Sequence, residues 1–399
     1  MAQLRENTWS LDEWYDQSVA GTTGGYRWGG SLYAWGTNAN GVLGQSQSSP
    51  TKRSSPVQIP GVTWKYIAGS GPSGYIHAIK SDGTLWAWGV NYTGVLGQNN
   101  ANPTGTCSSP MQVGSDTNWK NVAKGGESHI AAIKTDGTLW VMGENDLGAL
   151  GLNSNTDISS PTQVGTDTTW KFSSMSKRHA LAIKTDGTLW SWGRGNSGGL
   201  GLNSNTERSS PTQIGTRTNW KTCASFTYGG TATNTSGQLY SWGYNTRGVL
   251  GMNNRTRYSS PIQVPGSWTC VDTGGDTMQS VMAIKTNGTL WAWGYAHKGA
   301  IDNNLYGTNS DRSSPVQIGT ETTWSTAENE NGGFNMDHSD CSAVMKTDGT
   351  WWTWGANSVG QLGVNDHTGS PNYGVGSPRQ LPGSWKIITT SVNTMWGIK

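Results

Sequence analysis

Short apolar and aromatic runs alternate with polar turns along the chain, and the same order of runs returns seven times. The strongest run is Leu-Trp-x-Trp-Gly, whose copies end at glycines spaced 53, 54, 50, 50, 51 and 61 residues apart. Every copy except the first follows a run similar to Ala-Ile-Lys, and a Ser-Ser-Pro-x-Gln run and a lone Trp come after each copy. Short β-forming runs bounded by Gly, Pro, Asn and Asp predict strands rather than helices.

Two-residue turns separate the Ala-Ile-Lys and Leu-Trp runs. Dipeptides such as Asp82-Gly83, Asp136-Gly137 and Ser236-Gly237 accept the positive φ angles of a tight hairpin. Each unit therefore contains a hairpin, with further strands near the lone Trp and the Pro-x-Gln run. Three or four strands in roughly 50 residues are typical of a propeller blade. The sequence thus predicts an all-β fold, a seven-bladed β-propeller over residues 27–399.

The two ends of the chain carry complementary halves of one hairpin. The chain finishes with Trp396-Gly397-Ile398-Lys399, which matches the run that precedes a hairpin turn. The missing partner, Ser31 to Gly36, stands near the start. We therefore predict that the last blade is closed by N- and C-terminal strands, an arrangement that removes the exposed sheet edges of an open array.

Composition and charge narrow the class of protein. The 399 residues include 57 Gly and 23 Trp, and only 13% are charged, which excludes a coiled coil and argues against disorder. The net charge is +2 and no basic run exceeds two residues, so we expect no nucleic-acid partner. We also expect no membrane insertion and no secretion signal, since neither apolar pattern is present.

Residues for catalysis or metal binding do not form a recognisable motif. The four cysteines are at least 47 residues apart, so a zinc or redox site is not expected and buried free thiols are the simpler interpretation. The six histidines are scattered, and no nucleophile elbow, His-Glu-x-x-His or phosphate loop occurs. We therefore predict a non-enzymatic protein with no catalytic residues, no cofactor and no metal.

The order Leu-Trp-x-Trp-Gly-x-Asn-x-x-Gly-x-Leu-Gly, then Pro-x-Gln-Val and His-x-x-Ala-Ile, resembles the repeat of the regulator of chromosome condensation family over about residues 27–399. The resemblance implies a seven-bladed propeller closed by its termini. It also implies that the family histidine, present here at His129 and His179, ties strands together. The founder regulates a small GTPase and docks on chromatin, but its basic tail and long hairpin insertion are absent. The turn style looks more like bacterial and bacteriophage members.

Residues 1–26 lie outside the repeat and form the first candidate partner-binding region. Ser10 to Glu13 fits a helix capping box, and Leu11, Trp14 and Tyr15 fall on one face of the short helix that follows. This helix either covers the edge or channel of the propeller or docks into another subunit. Trp9 precedes it and belongs to the same candidate set.

Two longer loops interrupt the regular spacing, and such insertions point to surface loops that carry function. An acidic insertion spans 328–340 and is interpreted either as a solvated loop or as a cation site. A second insertion precedes the last Pro-x-Gln run. The candidate partner-binding residues in these loops are Glu328, Glu330, Phe334, Asp337, His338 and Tyr373.

Three functional hypotheses follow from this pattern. The first is a β-propeller that mediates protein-protein interaction as a structural or decorating component of a bacteriophage virion, made in the host cytoplasm and bound to other virion proteins. The second is an adhesin that binds a host-surface glycan through exposed Trp or Tyr. The third is a regulator of a small GTPase, and it has the weakest support because the founder's tail and insertion are absent.

Overall fold

The computed structural model describes most of the chain beyond residue 28. It describes residues 29–47, 51–69, 74–100, 105–123, 126–274, 280–295, 299, 301, 311–326, 341–364, 374–391 and 393–399, with the backbone of the strand Phe334–Met336. Within these residues, 28 strands form seven four-stranded antiparallel sheets. The only helical elements among them are short 3-10 helices at Ala39–Gly41, Asp146–Gly148 and Asn196–Gly198. No helix in this part of the chain is long and apolar enough to cross a membrane.

Six of the sheets are blades made of four consecutive strands. Blade 1 contains β3 (Trp64–Gly69), β4 (Tyr75–Lys80), β5 (Leu85–Val90) and β6 (Thr106–Gln112); blade 2 contains β7 (Trp119–Val122), β8 (His129–Lys134), β9 (Leu139–Gly143) and β10 (Ile158–Gln163); blade 3 contains β11 (Trp170–Met175), β12 (His179–Lys184), β13 (Leu189–Gly193) and β14 (Arg208–Gln213). Blade 4 contains β15 (Trp220–Phe226), β16 (Gly229–Asn234), β17 (Leu239–Gly243) and β18 (Tyr258–Val264); blade 5 contains β19 (Trp268–Gly274), β20 (Ser280–Lys285), β21 (Leu290–Gly294) and β22 (Arg312–Gln317); blade 6 contains β23 (Phe334–Met336), β24 (Cys341–Met345), β25 (Trp351–Ala356) and β26 (Gly374–Gln380).

Blade 7 joins the two ends of the chain, which confirms the predicted closure. It contains β1 (Leu32–Thr37) and β2 (Lys52–Gln58) from the start, and β27 (Ile387–Ser391) and β28 (Thr394–Ile398) from the end. The central pairing of β1 with β28 aligns Leu32 with Ile398 and Trp35 with Met395. Each end thus contributes two strands rather than a single closing strand, because the outer strand β2 follows β1 within the same unit.

The blades surround a common centre, and this arrangement defines two faces. Around most of the ring the first strand of a blade contacts the first strand of the next blade, so we call it the inner strand. The Ser-Ser-Pro strand lies at the rim and is half-buried or exposed. On the first face, loops connect strand one to two and three to four of each blade. On the second face lie the hairpin turns and the connections between blades.

Glycine and tryptophan side by side hold neighbouring blades together. The indole Nε1 of Trp192 in blade 3 donates to the carbonyl oxygen of Ala149 in the loop of blade 2, at 2.9 Å. The second glycine of the loop lies against that ring, and a Cβ on Gly151 would approach Trp192 Nε1 to 2.8 Å; in blade 2, where Met142 replaces the tryptophan, Gly97 lies against the methionine sulfur instead. The same indole-to-carbonyl bond from the next blade is formed by Trp35, Trp88, Trp242 and Trp293.

A cation between two aromatic rings repeats on the second face. In blade 3, the ammonium of Lys184 lies 4.7 Å from the ring centre of Trp170 and 3.9 Å from that of Trp190. Trp190 donates to the Thr188 hydroxyl, which in turn donates to Asp186 in the hairpin turn. We call this unit a lysine cage, and its equivalents are centred on Lys80, Lys134, Lys285, Lys346 and Lys399. Blade 4 lacks it, since Asn234 stands at the lysine position.

Candidate functional site

The predicted partner-binding residues lie almost entirely outside the described part of the chain. Phe334 begins a three-residue strand of which the backbone alone is described. The other nine lie outside the described residues, so those predictions are untested: Trp9, Leu11, Trp14, Tyr15, Glu328, Glu330, Asp337, His338 and Tyr373.

The repeat histidine His179 serves as a structural link between two blades, as the resemblance implied. The Nε2 of His179 lies 3.1 Å from the carbonyl oxygen of Gly229 in blade 4, and its Nδ1 lies 2.8 Å from the Ser176 hydroxyl. A carbonyl can only accept, so Nε2 carries the proton and Nδ1 accepts from Ser176. Burial lowers the pKa of His179 to about 4, which keeps the ring neutral.

Other residue types perform the same link where the histidine is replaced. At the first unit, the hydroxyl of Tyr75 donates to the carbonyl oxygens of Gly126 and His129 in blade 2, each at 2.8 Å. In blade 4 the position is Gly229, and the ring of Phe226 occupies the space where a side chain would stand. These positions are therefore committed to packing and are not available for chemistry.

The described cysteines and acidic residues offer no metal or nucleophile site. None of the four cysteines forms a disulfide; Cys107 is half-buried and the other three are buried, and burial raises the pKa of Cys270 to about 12. Such a thiol is not a nucleophile near neutral pH. Within the described residues, no group of three His, Cys, Asp or Glu side chains is placed to hold a metal ion.

A cluster of arginine and tyrosine side chains lies on the first face of blades 3, 4 and 5. The guanidinium carbon of Arg257 is 4.5 Å from the ring centre of Tyr244, whose ring meets that of Tyr228 edge-on at 5.8 Å. The guanidinium carbon of Arg194 in blade 3 lies 5.8 Å from the ring centre of Tyr228. Two of these rings thus connect cations from adjacent blades. We call this cluster, with its extension in blade 5, the arginine–tyrosine patch: Arg194, Tyr228, Tyr244, Arg247, Arg255, Arg257 and Tyr295.

The blade 5 side of the patch contains one carboxylate between two arginines. Arg247 stacks on Tyr295 at 4.5 Å from the ring centre and approaches Asp311 Oδ2 at 3.4 Å. Arg255 lies 3.9 Å from the same oxygen. Asp311 balances one of the two cations, so the patch of four arginines keeps an excess of positive charge.

Blade 2 gives the same face an acidic region beside the patch. Glu127 forms an ion pair with Lys177 at the boundary between blades 2 and 3. Glu144 is half-buried, and its burial, together with repulsion from Asp146 and Asp157, raises its pKa. The charge on the first face therefore changes from negative on blade 2 to positive on blades 3 to 5.

The side chains of the patch occupy positions that the repeat leaves free. The residue after each closing glycine begins the first-face loop, and the framework glycine, tryptophan and leucine do not restrict it. In the seven units it is Thr37, Val90, Glu144, Arg194, Tyr244, Tyr295 and Ala356. Comparing this position among the units singles out Arg194, Tyr244 and Tyr295, but not the other members of the patch. The predicted sites rested instead on insertions and unmatched tryptophans, which lie elsewhere in the chain, so the prediction missed the patch.

The second face carries lysine side chains on the inner strands. A lysine follows the first tryptophan of the inner strand in blades 1 to 4, at the residue left unpaired by a β-bulge. None of Lys65, Lys120, Lys171 and Lys386 forms an ion pair with a described residue. We call these residues the inner lysine ring: Lys65, Lys120, Lys171, Lys221 and Lys386.

The seven sheets and their closure by both termini define a β-propeller built of repeats. The chain belongs to the family described as the regulator of chromosome condensation (RCC1) repeat, which matches residues 29–71, 82–133, 136–183, 186–233 and 236–276. These segments span more than half of the 399 residues. The predicted family and blade number are therefore confirmed.

Curated relatives match only part of this chain. The ultraviolet-B receptor UVR8 of Arabidopsis thaliana is 32% identical over 149 residues, which are 37% of this chain and 33% of the receptor. The probable E3 ubiquitin-protein ligase HERC6 of Homo sapiens is 28% identical over 137 residues, 33% of this chain and 13% of the ligase. The chain thus matches a third or less of the length of these relatives, so their activities are not transferred to it.

Solved structures match the fold over nearly the whole chain. Human WBSCR16 superposes with a TM-score of 0.75 at 19% identity, covering 92% of this chain and 99% of that one. Prp20p of Saccharomyces cerevisiae superposes with a TM-score of 0.73 at 16% identity, covering 93% and 92%. At such identities the match establishes the fold alone. The named relatives are eukaryotic, and a bacterial or bacteriophage origin stays a prediction.

Proposed function

We propose that this chain is a non-catalytic binding module that holds an acidic protein partner on the first face of blades 3 to 5. The observation that carries the proposal is the stacking of Arg257 on the ring of Tyr244, which in turn meets the ring of Tyr228 edge-on. Arginine and tyrosine are the residue types that contribute most to protein interfaces, and lysine is depleted there. The arginine–tyrosine patch is therefore a better candidate than the inner lysine ring.

Stacking also prepares the arginines for binding. A guanidinium held against a ring has already lost part of its conformational freedom, so less entropy is lost when it meets a carboxylate. The acidic region of blade 2 repels an acidic partner, and this repulsion fixes where on the face the partner sits. Two proteins of the same fold support a protein-binding role by analogy: yeast RCC1 (Prp20) binds Kap60, and Prp20p binds Gsp1p and histones.

The finer hypotheses differ in the identity of the partner. A virion component would bind other particle proteins, and a GTPase regulator would bind a small GTPase. The glycan hypothesis has less support, because Trp86, Trp140 and Trp190 have ring faces covered by lysine ammonium groups. We retain the virion role as the first of these, and absence of the chain from purified particles would reject it.

The test compares charge reversal on the two faces. The variant Arg194→Glu/Arg257→Glu changes the patch, and Lys65→Glu/Lys171→Glu changes the inner lysine ring by the same four units of charge. Each protein, immobilised and treated with nuclease, is used to capture partners from an extract of the cells that produce it, and captured proteins are then purified and titrated directly. We expect at least tenfold weaker binding for the first variant only. Loss in the second variant only, or binding that nuclease removes, would reject the proposal.

A further inference from the structure

Two equivalent grooves run along the rim between neighbouring blades. The third-blade groove encloses about 410 Å³ between blades 2 and 3, and the fourth-blade groove encloses about 450 Å³ between blades 3 and 4. Both are lined by a Gly-Leu-Asn segment, a glutamine and a proline of outer strands, and the first tryptophan of an inner strand. These volumes fall within the range of ligand sites in proteins.

The third-blade groove neutralises its own cation. Lys184, held between Trp170 and Trp190, donates a 2.6 Å hydrogen bond to Asp167 in the connection that enters the blade. This hydrogen bond lowers the pKa of Asp167, so the carboxylate stays ionised at neutral pH. Two other blades with a connection of the same length repeat the pairing, through Lys134 with Asp116 at 2.8 Å and Lys346 with Glu321 at 2.5 Å.

The fourth-blade groove replaces both members of that pair. Arg217 stands where the other three connections have an acid, and Asn234 stands where they have the lysine. The guanidinium carbon of Arg217 lies 4.9 Å from the ring centre of Tyr240, and its side chain is exposed to solvent. No carboxylate among the described residues forms an ion pair with Arg217. The fourth-blade groove therefore has a cation, Arg217, but not the carboxylate that neutralises the cation of the third-blade groove.

The neutral groups of the same groove satisfy one another. Asn234 Nδ2 donates to Gln238 Oε1 at 2.9 Å, and the Tyr240 hydroxyl donates to the same oxygen at 3.3 Å. Gln213 donates to the carbonyl oxygen of Gly215 at 3.1 Å. Arg217 is therefore the charged residue of this groove that is free to donate to a ligand.

We propose that the fourth-blade groove is a carboxylate-binding site for an extended acidic peptide, with Arg217 as the anion-binding residue. A guanidinium presents two parallel N–H groups that match the two oxygens of a carboxylate, and stacking on Tyr240 fixes their direction. Trp220, Tyr240 and Pro261 line the groove beside it and contact the aliphatic part of the peptide. This site is at the rim and separate from the arginine–tyrosine patch.

The test uses fluorescein-labelled hexaglutamate and fluorescence anisotropy at low salt. All proteins carry Arg194→Ala and Arg257→Ala, so that the first face contributes little to binding. Arg217→Ala removes the cation, and Arg217→Asp/Asn234→Lys installs the neutralised pair of the third-blade groove. The reciprocal variant, Asp167→Arg/Lys184→Asn, transplants the proposed site to blade 3. Thermal unfolding of each protein verifies that it is folded.

We expect Arg217→Ala to weaken binding at least tenfold and the double variant to abolish it. The transplant should raise the stoichiometry from one peptide to two. Equal affinity of Arg217→Ala and its parent would overturn the proposal and place the peptide elsewhere, for instance on the inner lysine ring. Absence of binding to the parent protein would overturn it as well. Either result leaves the proposed function intact, since that rests on the other face.

Discussion

Gly201 in the loop of blade 3 lies against the indole ring of Trp242 in blade 4. A Cβ built on Gly201 would approach Trp242 Nε1 to 2.9 Å, and that Nε1 donates a 3.0 Å hydrogen bond to the carbonyl oxygen of Gly199. The glycine makes room for the ring, and the ring binds the loop that contains the glycine. The high glycine and tryptophan contents of the chain are thus two parts of one contact between blades.

Substituting Gly201 by Ala will destabilise the protein by about 2 to 4 kcal/mol. A backbone φ of +70° strains any L side chain, and the new methyl group meets a rigid ring. The matched control is Gly215→Ala, where φ is +61° but no atom lies within 4 Å of the added Cβ. This variant should lose only about 1 kcal/mol. Urea unfolding of both proteins measures the difference, and equal losses would show that crowding against Trp242 is unimportant.

Because blade 7 closes the ring, we expect Trp396→Ala to weaken the pairing of the two ends of the chain. Trp396 in β28 is fully buried and donates a 3.1 Å hydrogen bond to the Val42 carbonyl oxygen, so its truncation costs about 3 to 5 kcal/mol. The control is Trp293→Ala in blade 5, another fully buried tryptophan whose ring donates to a backbone carbonyl, that of Val249 in the loop of blade 4. Hydrogen exchange should show loss of protection in β1 and β28 together for Trp396→Ala alone. Protection lost equally throughout both variants would contradict this expectation.

Buried neutral histidines predict that stability falls as the pH decreases below 6.5. Burial lowers the pKa of His77 to about 3 and that of His129 and His179 to about 4. Between these values and the unfolded pKa of about 6.5, the unfolded chain binds protons that the folded chain does not. Stability therefore rises with pH across this window, by on the order of 3 kcal/mol for each histidine.

His77→Leu isolates one of these contributions. The leucine removes the titrating group from a buried position, so the variant should be more stable than the parent at pH 4.5 by about 2 to 3 kcal/mol. At pH 7 the two proteins should differ much less. Unfolding midpoints measured from pH 4.5 to 7.5 test this, and parallel curves for the two proteins would refute the assignment.

The lysine cages separate two kinds of stabilisation. A double-mutant cycle with Lys184→Met and Asp167→Asn should give a coupling of about 0.5 to 1 kcal/mol, which falls at high salt. Blade 5 provides the control, because Lys285 lies 3.6 Å from the ring centre of Trp291 and forms no ion pair with a described residue. Lys285→Met should cost about 0.5 to 1 kcal/mol through its lost cation–π contact. A salt-independent coupling in blade 3 would contradict the ion-pair assignment.

The fold was predictable from the sequence because the blades use the same packing contacts, which recur at fixed positions in the repeat. Trp242 and Gly201 recur at fixed spacing in most units, and the turn dipeptides mark every hairpin. Closure was also predictable, since Trp396 and Leu32 belong to complementary halves of one hairpin. The prediction included the hairpin strand β1 and not the outer strand β2 that follows it, although blade 7 contains both.

The candidate sites depended on which variable residues meet in space. Arg194 lies in a loop of blade 3 and Tyr228 in a loop of blade 4. Only the circular arrangement of the blades brings these loops into contact. Arg217 and Tyr240 meet within one unit, where the connection that enters blade 4 passes the third strand of that blade.

The sequence by itself determined the blade, its sevenfold repetition and the ring that its ends complete, since these depend on residues that recur with a fixed period. Only the tertiary structure decided which exceptions to the period become neighbours. Two such exceptions are Arg257, which stacks on Tyr244, and Arg217, which stacks on Tyr240 and has no carboxylate partner among the described residues. The role proposed for each arginine depends on the side chains around it. A repeat specifies its own framework locally, whereas a binding surface is assembled from residues that no local pattern relates.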